Sequence, residues 1–193
     1  MRVVRAAAKP LRADAARNRE RVLKTAYATF ASEGVAVPLD EIARRAGVGA
    51  GTVYRHFPTK EDLFRAVVED RMGQIVAAGR ALLEGPDPGE SLFGFLRALV
   101  LEWGAQDRGL VDALAGAGIG WTSVGPEAET GFMALLGDLL QAARQAGTVR
   151  AEVTVTAVKT LMVGCQAMQG YNNDEAGKVT EVVLDGLRSR HRP

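Results

Sequence analysis

Within nine residues stand Thr52, Tyr54, Arg55, His56 and Lys60, all bearing hydrogen-bond donors. Hydroxyls, a guanidinium, an imidazole and an ammonium in one cluster suit the grip of a polyanion. On DNA, phosphates take the cations and base edges take the paired donors. Arg55 has the fork for a guanine edge or a phosphate. Thr52 and Tyr54 offer hydroxyls to either. His56 suits a phosphate, or the capping of a helix end. Lys60 opens a following helix, where its charge and the helix N-terminus favour the same anion.

Catalytic chemistry finds less support. The chain has two histidines, His56 and His191, and one cysteine, Cys165. That set builds no metal site of the usual ligand types and no disulfide. The spaced glycines at 47, 49 and 51 and at 116, 118 and 120 complete no dinucleotide fingerprint and follow no strand. We expect no enzyme, no cofactor and no metal.

The donor cluster needs a scaffold, and its flanks supply one. Leu39, Ile42, Ala43 and Ala46 recur at helical spacing. Pro38 suits the entry to that helix, and Asp40 and Glu41 in the first turn and Arg44 and Arg45 in the last complement its dipole. Gly47 ends it, and Val48 pins the turn. A second short helix spans about Ala50–His56, with Val53 and Phe57 facing inward. Two short helices joined at a glycine form a helix-turn-helix.

The run Asp40–Glu41–Ile42–Ala43, then Ala46–Gly47–Val48, then Gly51–Thr52–Val53–Tyr54–Arg55–His56–Phe57, then Lys60 and Leu63 resembles the DNA-binding region of the TetR family of bacterial transcriptional repressors. Phe30–Ala31–Ser32–Glu33–Gly34 upstream fits the same pattern, so the resemblance covers about residues 17–65. Gly49 and Pro38 depart from the commonest pattern, at positions where a hydroxyl residue often caps each helix. The resemblance implies that His56 meets phosphate and that the last two long helices pair with a second copy as a four-helix bundle. The expected DNA-facing set is Thr52, Tyr54, Arg55, His56, Lys60, Arg45, Ala50 and Gly51.

Charge follows the same division. Residues 1–60 hold 12 Lys and Arg against 5 Asp and Glu, a net +7, while the remainder carries −6. A basic head on an acidic body suits a polyanionic partner. Overall composition, 47% hydrophobic and 24% charged, is that of a soluble globular protein. Residues 1–11 read as a flexible basic arm bearing Arg2, Arg5 and Lys9. The opening residues lack the apolar core of a signal peptide, and no segment suits a membrane span. We expect a cytoplasmic protein.

The spacing predicts an all-α chain: three helices in a DNA-binding domain over residues 12–60 and about six in a regulatory and dimerisation domain over 61–193. The first helix spans about Ala13–Ser32 on a stripe of Val22, Leu23, Ala26 and Phe30, with Arg17, Arg19 and Arg21 in its early turns. Thr59 with Asp62 caps a long helix to about Leu83. Residues 85–89, GPDPG, break it. Further helices are expected over Glu90–Gln106, Leu110–Ala115, Glu127–Ala146, Val153–Tyr171 and Glu175–Ser189, with a loop from Gly116 to Pro126.

Phe95, Trp103, Trp121, Met133, Met162, Cys165, Met168 and Tyr171 are the expected neighbours of a small apolar effector. Leu161, Val179, Val183 and Leu187 are expected across a homodimer interface. The resulting expectation is a dimeric repressor that leaves a near-palindromic double-stranded operator when a small molecule binds. The alternatives are a DNA-binding architectural or activator protein without a ligand, and a helical small-molecule-binding protein.

Overall fold

The computed structural model describes residues 8–116 and 126–189. The chain divides into two compact units, Met1–Asp70 with Gly109–Val124, and Arg71–Arg108 with Gly125–Pro193. Among the described residues there is no strand, only an isolated bridge between Val149 and Arg188.

In the first unit α1 (Ala8–Glu33) buries Val22, Leu23, Ala26 and Phe30. It starts inside the stretch expected to be a basic arm; residues 1–7, with Arg2 and Arg5, lie outside the described residues. Gly34 ends α1 at φ 75°, donating its N–H to the Phe30 carbonyl. Next, α2 (Leu39–Ala46) buries Leu39, Ile42, Ala43 and Ala46. Gly47, at φ 63°, and Val48 return N–H groups to the carbonyls of the last turn, and Val48 is buried. This is the left-handed stop that glycine adopts without a Cβ clash.

After α3 (Ala50–His56) comes α4 (Lys60–Leu83). Thr59 and Asp62 cap each other reciprocally: the Asp62 N–H donates to Thr59 Oγ1, and the Thr59 N–H donates to the Asp62 carboxylate, both at 3.1 Å. Leu63, Phe64, Val67 and Val68 turn inward, and the Phe64 ring lies 5.4 Å from that of Phe30.

The second unit corrects the expected break near Gln106. Ser91 to Gly116 is one helical run: α5 (Ser91–Arg97), a π segment (Ala98–Trp103) and α6 (Gly104–Gly116). The π turn inserts an extra residue and shifts the apolar stripe sideways. That shift is why the sequence reads as apolar on most sides. α7 (Pro126–Gln145) follows, and the expected loop with Trp121 lies outside the described residues. α8 (Val155–Tyr171) starts two residues later than expected, because Thr154 caps it through the Ala157 N–H. α9 (Asn173–Leu187) starts two residues earlier, capped by Asn172. One core cluster joins α5, α7, α8 and α9 through Leu92, Phe95, Leu135, Leu139, Val158 and Leu184. Bidentate pairs Arg97–Glu181 and Arg188–Glu90 fasten α5 to the α9 end, and Arg188 stacks 4.0 Å over the Phe93 ring. Arg71 on α4 chelates the buried Asp107 carboxylate on α6, with Nε 2.8 Å from both oxygens.

Candidate nucleic-acid interface

A seven-residue helix is too short to persist alone, so tertiary packing holds α3 in place. Val53, 1% exposed, and Phe57 anchor its inner side. Gly51, Tyr54, Arg55 and His56 are exposed, and Thr52 is half-buried. Arg19 of α1 lies 5.8 Å over the Phe57 ring and so buttresses the same anchor. Thr52, Tyr54, Arg55 and His56 are therefore presented to the outside on α3, and Lys60 follows at the start of α4.

Partners sort these donors. The Tyr54 phenol is raised above its ordinary range, first by the negative charge of Asp40 and then by burial and its hydrogen bond to that carboxylate. Arg45 binds Glu33 at the end of α1 and Glu41 one turn back on α2. Arg44 also forks onto Glu41, with both contacts at 2.7 Å. Hydrogen bonds from Arg44 and Arg45 hold the Glu41 carboxyl down at about 2. Arg45 thereby fastens α1 to α2, with its charge compensated inside the protein.

Lys60 Nζ donates to the Val35 and Ala36 carbonyls, at 3.0 and 3.2 Å. An ammonium has three donors, so one is left for a further acceptor. On α1, Arg17 pairs with Asp14, and Arg21 donates to Asn18. Among the described residues of α2, α3 and the first turn of α4, Arg55 and His56 are the basic side chains without an internal acceptor. Sequence reading missed the acids Glu33 and Asp40 as partners. The spacing of Glu41 to Arg44 and Arg45 was a usable signal for a helical ion pair. Nothing in the spacing joins Arg45 to Glu33, or Lys60 to the loop carbonyls.

The expected effector residues divide. Phe95, fully buried, meets Trp103 edge-on with ring centroids 5.8 Å apart, and Met133 and Met162 pack on the same cluster. Phe95 belongs to the core cluster of the second unit, and Trp103, Met133 and Met162 pack on it while partly exposed. Two open hollows, of about 420 and 530 Å³, lie along α1 of the first unit, and none of the expected effector residues lines them. Cys165 is buried, which pushes its thiol up. Met168 is half-buried. Tyr171 departs from the expectation: it ends α8, where no described element covers it, and is 94% exposed.

Of the expected interface residues, Leu187 is also placed differently. It is buried in its own core because its carbonyl accepts from the Arg150 N–H and ties the end of α9 down. Leu161 packs partly on that core, Val183 is half-buried, and Val179 is exposed. The most exposed aliphatic side chains on these helices are Val182, at 70%, and Val163, at 55%.

Known proteins match both parts of the chain. Residues 22–67 fit the family described as bacterial regulatory proteins, tetR family, and residues 87–189 fit the transcriptional regulator SbtR-like, C-terminal domain. The crystal structure of a TetR transcription regulatory protein from Mycobacterium vanbaalenii is 56% identical, covers 93% of this chain and all of its own, and superposes with a TM-score of 0.76. A TetR transcriptional regulator from Streptomyces coelicolor is 29% identical over 89% of this chain and 99% of its own, with a TM-score of 0.71. An HTH-type transcriptional regulator of Staphylococcus aureus is 42% identical over 60 residues, which are 31% of this chain and 32% of that protein. The match therefore spans about a third of that curated relative's length. With its helix-turn-helix in the first unit and a matching C-terminal region, the chain belongs to the TetR family of transcriptional regulators.

Proposed function

We propose that this regulator is a homodimeric repressor that places α3 of each subunit in the major groove of one operator half-site. The outward set of Gly51, Thr52, Arg55 and His56, on a helix anchored by Val53 and Phe57, carries the reading. A two-fold dimer calls for half-sites about 34–36 Å apart. The aliphatic stripe of Val163, Val179 and Val182 supports pairing through α8 and α9, since exposed apolar area of this kind marks an interaction surface. A small apolar effector would enter beside Trp103 and Phe95 by opening that cluster. It would shift the population toward a form with a poorer fit to the operator.

Selection of bound fragments from random duplex DNA tests the reading. A recovered palindrome, with transcription blocked when that sequence overlaps a promoter, supports a repressor. Recovery without sequence preference rejects the half-site reading. Effector-saturated protein that held the operator as tightly as free protein would reject the coupling. The packing of Trp103, Met133 and Met162 on the core cluster around Phe95 favours a second reading, a DNA-binding regulator without an effector. Under that reading no small molecule alters operator affinity.

A further inference from the structure

The recognition helix pairs a missing side chain with an unsatisfied one. Gly51 and Arg55 stand four residues apart on α3, so they share one face of the helix. Helical side chains lean toward the N-terminus, so Arg55 is directed along the face that Gly51 leaves bare. A Cβ at Gly51 would meet no atom within 4 Å, and Gly51 keeps a negative φ. Neither packing nor backbone conformation requires glycine there. Yet glycine within a helix costs about 1 kcal/mol relative to alanine. A bare backbone on an outer helix face is what a closely approaching surface needs.

The distribution of partners points the same way. Arg44, Arg45 and Lys60 are engaged by Glu41, Glu33 and the loop carbonyls. Arg55 is exposed, has no internal acceptor and keeps all five donors available. A planar fork of this kind matches O6 and N7 of guanine in the major groove.

We infer that Gly51 and Arg55 form one reading unit: the bare backbone at Gly51 seats α3 close to the groove floor, and Arg55 grips a guanine bidentately in each half-site. This rests on the reading that α3 enters the major groove, and it adds the base that is recognised and the residues that select it.

The test uses the full-length protein and site selection from random duplex DNA. Affinity is then measured for the selected duplex and for one with adenine in place of the fixed guanine. The wild type should recover one fixed guanine per half-site and lose about tenfold or more on the adenine duplex. Arg55→Lys keeps the charge but loses the fork. It should bind unrelated DNA within about twofold of wild type and stop distinguishing guanine from adenine. Gly51→Ala should melt at or above the wild-type temperature, because alanine favours helix, yet lose about tenfold on the selected duplex.

Arg55→Lys that still prefers guanine as strongly as wild type overturns the assignment to Arg55. Gly51→Ala that binds the selected duplex unchanged overturns the seating role. A recovered palindrome unaffected by either substitution rejects the inference alone. Failure to recover any preferred sequence rejects both the inference and the groove reading beneath it.

Discussion

The first unit presents donor side chains on its outside, whereas the second is built around a core of large apolar side chains. In the first, Tyr54, Arg55 and His56 are exposed on a helix anchored by two buried residues. In the second, Phe95 is fully buried with Trp103 packed against it, while Tyr171, Val163, Val179 and Val182 are exposed on α8 and α9. Reading DNA needs donors already in place, because the duplex brings a fixed pattern of acceptors. Holding a dimer together needs apolar area that water disfavours. The same chain therefore applies opposite surface rules in its two units, and substitutions in each should fail in different ways.

The largest effect should follow from breaking the aliphatic stripe. Val182→Asp places a charge on the α8–α9 face, where pairing would have to bury it. Sedimentation should show a monomer that stays folded. Two half-site contacts would no longer be linked, and operator affinity should fall by about 10²–10⁴. A dimer of unchanged affinity would show that the stripe faces nothing. Next comes Phe95→Ala, which removes a fully buried ring from between Trp103 and Phe132. Cavity formation in such a core costs about 3–5 kcal/mol, to be read from urea unfolding. Loss of well under 1 kcal/mol would mean that the cluster is loose enough to collapse or to open for a ligand.

How far each unit could be read from sequence depends on the range of its interactions. Gly47 with Val48, and Thr59 with Asp62, act within one helical turn. Their stop and cap were legible from residue type and spacing alone. So was the outward set on α3, because Val53 and Phe57 fix which side faces the core. The link from Arg45 to Glu33 crosses 12 positions, and that from Lys60 to the loop carbonyls crosses 24 and 25. No helical periodicity carries such information. The π segment escaped for another reason: one inserted residue turns a clean stripe into apparent all-round apolarity, which also hid the continuity into α6. Leu187 and Tyr171 were misplaced because periodicity assigns a helix face but not what covers it. Leu187 is covered by its own subunit, and Tyr171 by none of the described residues.

Lys60 offers a finer comparison within the first unit, between holding the protein together and gripping DNA. Two of its three donors serve Val35 and Ala36. If the third meets a phosphate, Lys60→Ala should weaken binding to every sequence and flatten the salt dependence by about one unit of log–log slope. Lys60→Gln keeps an amide donor for the loop but removes the charge, so its slope should flatten equally. An unchanged slope in both variants would confine Lys60 to the loop between α1 and α2.

The smallest effect concerns acid. Glu41 is held at about 2, against an ordinary value of 4.5, first by its hydrogen bond from Arg44 and then by that from Arg45. A carboxyl lowered by folding contributes stability that is fully present above its unfolded value and lost as pH falls through its folded one. The first unit should therefore weaken between about pH 4.5 and 2 as Glu41 takes up a proton and releases both arginines. Glu33 is lowered as well, chiefly by its hydrogen bond from Arg45, and acts in the same direction. Both carboxylates are solvent-accessible, so high salt should screen part of the effect. Unfolding by urea at a series of pH values, followed by circular dichroism, should show a shallower acid dependence in Glu41→Gln than in wild type. Equal slopes would mean that the arginines gain nothing from Glu41 in solution, leaving Arg45 tied to α1 through Glu33 alone. Where the slopes differ as expected, Glu41→Gln also frees guanidinium charge on α2, and it should bind unrelated duplex more tightly with a steeper salt dependence.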